Sequence, residues 1–244
     1  MNLFKRDFIY IIKKYRLGLI LLMMLYAYVF YICSVNDGSP MENFFYVAYT
    51  DNGPISNYKD FFLADKWLLL HLIPIIGTSF TIIKDHYDNG IYNIMKVRNK
   101  TDYFFSKLVS SILINIISIL IFAIPFYIYS ISNGPIDSEL RILFIDVMIC
   151  MIVENVVLSI IFILISLRFS TTIGILVILI NLILAMATSI PFIIGQGSLA
   201  YKQKVLGGIF DFKYNIIFLI ILTLIVLLYS YIFFVNYSYY GDER

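Results

Sequence analysis

The chain is short of charge. Asp, Glu, Lys and Arg make up 14% of its 244 residues, against 61% hydrophobic residues and a mean hydropathy of +0.88. Soluble domains run at about 25% charged and roughly 45–50% apolar, so an ordinary soluble domain is excluded. Histidine is scarce too, with only His71 and His86. A zinc protease needs paired histidines and a nearby glutamate, as in H-E-x-x-H, and nothing matches. A serine nucleophile in the membrane needs a base, and no histidine follows residue 86. No Gly-Lys dipeptide occurs, which removes the phosphate-cradling G-x-x-x-x-G-K-[ST] loop. Neither peptide hydrolysis nor ATP binding is expected of this chain, and no catalytic, cofactor-binding or metal-binding residue is assigned. The two cysteines, Cys33 and Cys150, lie within or at the end of apolar runs without metal-ligand spacing, and read as buried free thiols.

What is abundant is uncharged apolar sequence. About 20 consecutive apolar residues span a bilayer as a helix, and six such runs can be placed, at 17–33, 67–83, 108–131, 143–167, 173–194 and 216–237. The expected fold is an all-α polytopic membrane protein, one transmembrane domain over 1–244. Residues 1–16 carry Lys5, Arg6, Lys13, Lys14 and Arg16 with no small-residue cleavage site, so they are not a signal peptide. As a helix they place Leu3, Phe4, Phe8, Ile11, Ile12 and Tyr15 roughly on one face, which suits an interfacial helix among lipid headgroups. The alternative is a basic flank that anchors the first span. Residues 34–66 form a loop with turn signals at Asn36-Asp37-Gly38, Ser39-Pro40 and Asp51-Asn52-Gly53-Pro54. Its aromatic stretch from Asn43 to Tyr49 is expected to rest on the membrane interface.

Six spans put both termini on one side. Of the eighteen Lys and Arg, twelve fall in terminus-side segments and six in the others. Cytoplasmic segments carry the excess of Lys and Arg, so cytoplasmic termini and a bacterial cytoplasmic membrane are expected. The lysines Lys202, Lys204 and Lys213 weaken that assignment locally.

Glu154, beside Asn155, is the most distinctive polar residue, near the middle of the fourth span. A carboxylate there is costly and faces protein or water. It is either a contact on a translocation path, for substrate or proton, or a paired carboxylate that locks the helices, with Asn115 or Asn181 as partner. Asp146 is nearer the end of that span and can snorkel to solvent. Pro74, Pro125 and Pro191 each remove a backbone donor and are expected to bend their spans.

Residues 84–107, KDHYDNGIYNIMKVRNKTDYFFSK, are the strongest polar interruption between two apolar runs. Asn89-Gly90 can end the second span, because glycine accepts backbone angles that other residues resist. Ile91, Ile94, Met95 and Val97 then give a short apolar ridge, with Asn93, Lys96 and Arg98 around it. Such a ridge fits a groove on a partner; the plainer alternative is a solvated connector whose aromatics anchor the third span.

This segment resembles the one after the second span in the small six-helix permease subunits of bacterial ABC exporters of the type-2 class. The matching elements are Asp85 or Asp88, Gly90, the short helix from Ile91 to Val97, Arg98 or Lys100, and Tyr103-Phe104-Phe105-Ser106-Lys107. An Asp stands where that family often has Glu, and no proline follows the short helix. The resemblance extends to the basic amphipathic N-terminus, the large first outer loop and the Gly-containing segment 195–215, which would be a re-entrant outer hairpin. It implies an ATPase-coupling site at Gly90, Ile91, Ile94, Met95, Lys96, Val97 and Arg98. The implied partners are an ABC ATPase subunit that holds ATP and magnesium, a second copy or a related permease, membrane lipid and an exported amphipathic substrate such as a peptide, lantibiotic, toxin or drug. No nucleic acid is implied. The rivals are a proton-coupled secondary transporter using Glu154 and a non-transporting membrane immunity protein.

Overall fold

A computed structural model describes residues 3–45, 64–96, 100–133, 137–188 and 190–236, with the side chains of 91–96, 100, 235 and 236 outside the description. The described chain is helical, in the order α1 (Leu3–Val35), α2 (Pro40–Asn43), α3 (Asp65–Lys96), α4 (Lys100–Ser132), α5 (Ser138–Arg168), α6 (Thr171–Ala187) and α7 (Phe212–Asn236). Two short 3-10 turns, Ala200–Lys202 and Lys204–Leu206, interrupt the segment between α6 and α7. The helices α1, α3, α4, α5 and α7 are long and apolar enough to cross a membrane, and α6 is a shorter apolar helix. This is the architecture of a polytopic membrane protein.

The bundle is built around α5. It packs against α3, α4, α6 and α7, and buries residues on every side, from Leu140 to Leu167. A helix with apolar residues all round belongs in an interior, and the Ile, Val, Leu, Phe and Met of α5 supply them, with Glu154, Asn155, Ser159 and Ser166 buried among them. Its start is fixed by Asp137, whose carboxylate accepts the Glu139 N–H at 3.1 Å. Ser170 caps α6 by accepting the Ile173 N–H at 3.3 Å. Such caps satisfy donors that the first turn of a helix leaves open.

The expected interfacial helix at 1–16 is not a separate element. It continues into the first span as α1, with one buried stripe of Asp7, Ile11, Tyr15, Leu22, Tyr26, Val29 and Cys33. The stripe packs on α3 and α4, and Tyr26 donates to the Ser118 carbonyl at 2.6 Å. Gly18 does not break the helix. It makes room for the Tyr15 ring, which also lies on Gly77 of α3; a Cβ at either glycine would sit 1.9 Å from a ring carbon.

The helix of the second span is not broken at Asn89-Gly90, since α3 runs on to Lys96. Glycine inside a helix costs roughly 1 kcal/mol, and side chains around it offset that cost. Asn89 donates to Asp85 one turn earlier at 3.0 Å, and Lys107 of α4 donates to the same carboxylate. The separate short helix expected after Gly90 is thus, as far as Lys96, a continuation of α3.

The aromatics after α2 depart from expectation as well. Phe44 and Phe45 lie fully inside the core, with Phe44 against Phe126 and Phe144. Pro40 and the capping box of Ser39 and Glu42 turn the chain inward there. Residues 46–49 lie outside the described residues. Finally, the fifth span ends at Ala187, short of 194, so Pro191 lies past the helix and does not kink it. Among the described residues of 188–211 the backbone is irregular apart from the two 3-10 turns, yet Gln196, Ser198, Leu199, Ala200, Tyr201, Lys202 and Gln203 are buried.

Candidate functional site

Two polar clusters stand inside this apolar frame, one at each end of α3. The proximal cluster lies at the end of the bundle where the chain begins. Asp7 of α1, Asp85 of α3 and Lys107 of α4 are all buried. The Lys107 ammonium donates to Asp85 and lies 3.5 Å from Asp7. Ser106 donates to Asp7 at 2.5 Å, Arg6 Nε donates to it at 3.0 Å, and the Lys107 ammonium lies 4.9 Å from the centroid of the Tyr103 ring. Two carboxylates, one ammonium and one guanidinium balance, as buried charges must. The knot ties three helices together where α3 leaves the apolar zone.

The motif residues divide around this knot. Asp85 and Lys107 are brought together by it. Gly90 sits in the α3 helix, where an added Cβ would meet His86 and the Tyr103 hydroxyl at ordinary contact distance. Ile91, Ile94, Met95 and Lys96 form the last turns of α3, with side chains outside the description, and Val97 and Arg98 lie outside the described residues. The one acid in the basic N-terminal stretch, Asp7, is the member that sequence reading missed. Its isolation among five cations was the available signal.

The distal cluster is centred on Glu154, which the structure buries completely. Its expected partners are not the ones found. Asn115 donates to Thr78 Oγ1, Ser111 O and Ser159 Oγ at 3.0–3.3 Å, joining α3, α4 and α5 further along the bundle. Asn181 donates to Ile194 O at 2.7 Å. Glu154 instead faces His71, with Oε2 3.3 Å from Nε2. Its other oxygen accepts the Gly197 N–H at 2.9 Å and the Ser198 N–H at 3.3 Å.

Those two N–H groups come from the irregular segment, which therefore reaches as deep as the midpoint of α5, about 24 Å along the axis from Ser138. Irregular backbone at membrane depth survives only where protein or an aqueous cavity receives its polar groups, and here side chains receive them. Trp67 Nε1 donates to Ser198 Oγ at 2.8 Å. Gln203 donates to the carbonyls of Gln196 and Gly197 at 3.0 and 3.1 Å. Lys202 reaches back to the carbonyls of Ala185 and Thr188, and so closes the open C-terminus of α6. Gly195 has φ +112° with Trp67 and Ala185 against it, so a side chain there would be both strained and crowded.

The cluster contains a serine, a histidine and a glutamate without forming a nucleophilic relay. A relay needs the acid on one imidazole nitrogen and the nucleophile on the other. Here Ser198 and Glu154 both address Nε2, while Nδ1 meets the Trp67 carbonyl at 3.0 Å. His71 had no sequence signal linking it to a carboxylate so far along the chain.

A cavity of about 220 Å³ opens beside this cluster, between α5 and the irregular segment, with Asp146, Gly197, Lys204, Asp211 and Lys213 on its wall. Asp211 lies just before the start of α7 and accepts the Lys213 N–H, which, ahead of the Lys204 ammonium, holds its carboxyl below the usual range. Cys33 and Cys150 are buried thiols, Cys150 lying one turn from Glu154. No family model, no curated protein and no solved structure matches the chain.

Proposed function

We propose that the chain is the permease subunit of an ATP-driven ABC exporter of the type-2 class. In this reading it works as a pair beside two ATPase subunits in a bacterial cytoplasmic membrane, with both termini in the cytoplasm. The supporting observation is the unbroken course of α3. One helix carries the ridge residues Ile91, Ile94, Met95 and Lys96 at one end and His71 at the other. Its 32 residues make a rod of about 48 Å. A push on the ridge by ATPase closure would then travel along this one helix, past Pro74, to the Glu154 cluster. The proximal knot makes α1 and α4 move with it. Substrate would pass between the paired subunits, against the exposed apolar faces of the outer helices, and an amphipathic cargo suits such a route.

The test is co-purification with the ATPase, with ATP turnover measured before and after Lys96→Glu and Arg98→Glu. Both substitutions should uncouple turnover from substrate. If the complex and its stimulated turnover survive replacement of residues 91–98 by a Gly/Ser linker, the coupling assignment is wrong.

The His71–Glu154 pair favours a second reading, a proton-driven secondary transporter. It predicts that Glu154→Gln abolishes flux while ATP depletion at constant proton gradient does not. The first reading predicts that ATP depletion stops flux.

A further inference from the structure

We propose that the cavity between α5 and the irregular segment binds the headgroup of a zwitterionic phospholipid that carries an ammonium group. The cavity measures about 220 Å³. A drug-sized molecule takes a pocket of roughly 300–1,000 Å³, so this one suits a headgroup better than a whole amphiphile. Its floor is apolar and buried, made by Leu143 and Val147 of α5 and by Phe210. Its wall is built in advance. Main-chain hydrogen bonds at 2.9–3.0 Å join Lys202 and Lys204 to Phe210, and Gly208 to Gln203. A Cβ at Gly208 would run into the main chain of Lys202, so a side chain has no room in that turn.

Most polar groups around the cavity are already engaged. Gln203 donates to the Gln196 and Gly197 carbonyls, and its Oε1 accepts from Asn215 at 3.4 Å. Asp211 meets the Lys204 ammonium at 3.4 Å through Oδ2 and the Lys213 N–H at 3.0 Å through Oδ1. Two side chains on the cavity wall have no hydrogen-bond or ion-pair partner among the described residues, the Asp146 carboxyl and the Lys213 ammonium. The first offers acceptor oxygens in either protonation state, and the second offers three donors. The matching ligand carries N–H donors at one end and an anionic oxygen group at the other. A phosphoethanolamine head has both, a few bonds apart.

Depth and surroundings point to a lipid as the carrier of that head. The 31 residues of α5 extend about 46 Å, against a hydrocarbon core of about 30 Å. With the excess shared between its two ends, Asp146, about 12 Å along the axis from Ser138, lies close to the boundary between headgroups and chains. Lys213, in the first turn of α7, stands at the same end of the bundle. Neighbouring positions expose Ile142 and Ile145 on α5 and Tyr214 and Ile217 on α7, apolar faces that can receive acyl chains. A headgroup seated there bridges α5 to the start of α7 and braces the segment between them.

The test uses the purified full chain in a nonionic detergent. It is titrated with phosphatidylethanolamine, with phosphatidylglycerol of the same acyl chains, and with free phosphoethanolamine. Bound lipid is counted by mass spectrometry of the intact protein, and the thermal midpoint is read from the emission of Trp67, the chain's one tryptophan. Phosphatidylethanolamine should bind once per chain, about tenfold more tightly than phosphatidylglycerol, the difference one such hydrogen bond makes. At ten times its Kd it should raise the midpoint by about 3–6 °C. Asp146→Leu should erase the preference, and Lys213→Gln should weaken both lipids alike. Equal binding of the two lipids by wild type, or a preference that survives Asp146→Leu, overturns the proposal. So does the absence of bound lipid. A midpoint shift from free phosphoethanolamine as large as that from the lipid overturns the lipid as carrier. Should Asp146→Leu fail to fold, the wild-type comparison decides alone. No transport is measured, so the outcome stands apart from either transport reading.

Discussion

Lys107 answers two carboxylates at once, which makes it the most exacting single side chain at the proximal end. Lys107→Met should destabilise the protein by about 3–5 kcal/mol, the usual cost of stripping one partner from a buried ion pair. Adding Asp85→Asn should recover part of the loss. A double-mutant cycle on thermal or denaturant unfolding measures that coupling. Lys202 plays the same role for main-chain carbonyls. Lys202→Met leaves the Ala185 and Thr188 carbonyls without their donor, at about 1–3 kcal/mol for each group left unpaired. Burial pushes the Lys202 ammonium down to about 8. Between there and the ~10.4 of a free lysine, the unfolded chain holds the extra proton, so rising pH favours the folded state. A neutral amine still donates, so the caps survive deprotonation. Wild type should therefore gain stability relative to Lys202→Met from pH 8 to pH 10, read as a widening gap between their melting temperatures. At this scale the sequence disclosed Glu154, Asp85 and Lys107, because charge inside or beside apolar runs is conspicuous. It hid His71, Ser198 and Lys202, whose roles depend on distant main-chain atoms that no spacing reveals.

At the scale of helices, apolar runs located five long crossings, and their ends were misjudged where side chains changed the rules. Gly90 read as a break and is helical, since Asn89 and Lys107 brace the turn before it. Pro191 read as a kink and lies beyond the helix, because Thr188 and Lys202 had already closed α6 at Ala187. The contact of α1 with α3 offers a direct test. Gly77→Val should destabilise by about 1–3 kcal/mol through overpacking against Tyr15, and Tyr15→Ala should rescue it in the double variant. Tyr15→Phe should be neutral or slightly stabilising, because the buried Tyr15 hydroxyl has no hydrogen-bond partner among the described residues. Melting of the three variants in one detergent checks both statements.

For the whole molecule, the two ends of α5 should lie on opposite faces of the membrane. Cys33 and Cys150 are buried, so the wild-type chain supplies a low background for thiol labelling in sealed vesicles. A cysteine at exposed Glu139 and one at exposed Phe169 should react with an impermeant reagent from opposite sides. Labelling of both from one side would refute the crossing. The polytopic plan was legible from composition alone, since nothing but a membrane accommodates so many uncharged runs. The depth of the hairpin was not, because Gly, Ser and Gln give the same letters in a surface loop. That depth has a consequence for how the protein is made. Synthesis runs from the N-terminus, so α3 and α5, with Trp67, His71 and Glu154, are complete before residues 188–211 leave the ribosome. The newborn bundle must hold an unfilled dock with a buried acid until the last quarter of the chain arrives. Assembly therefore closes from the far end, and a chain cut short after α6 would present that open dock to the cell's membrane proteases.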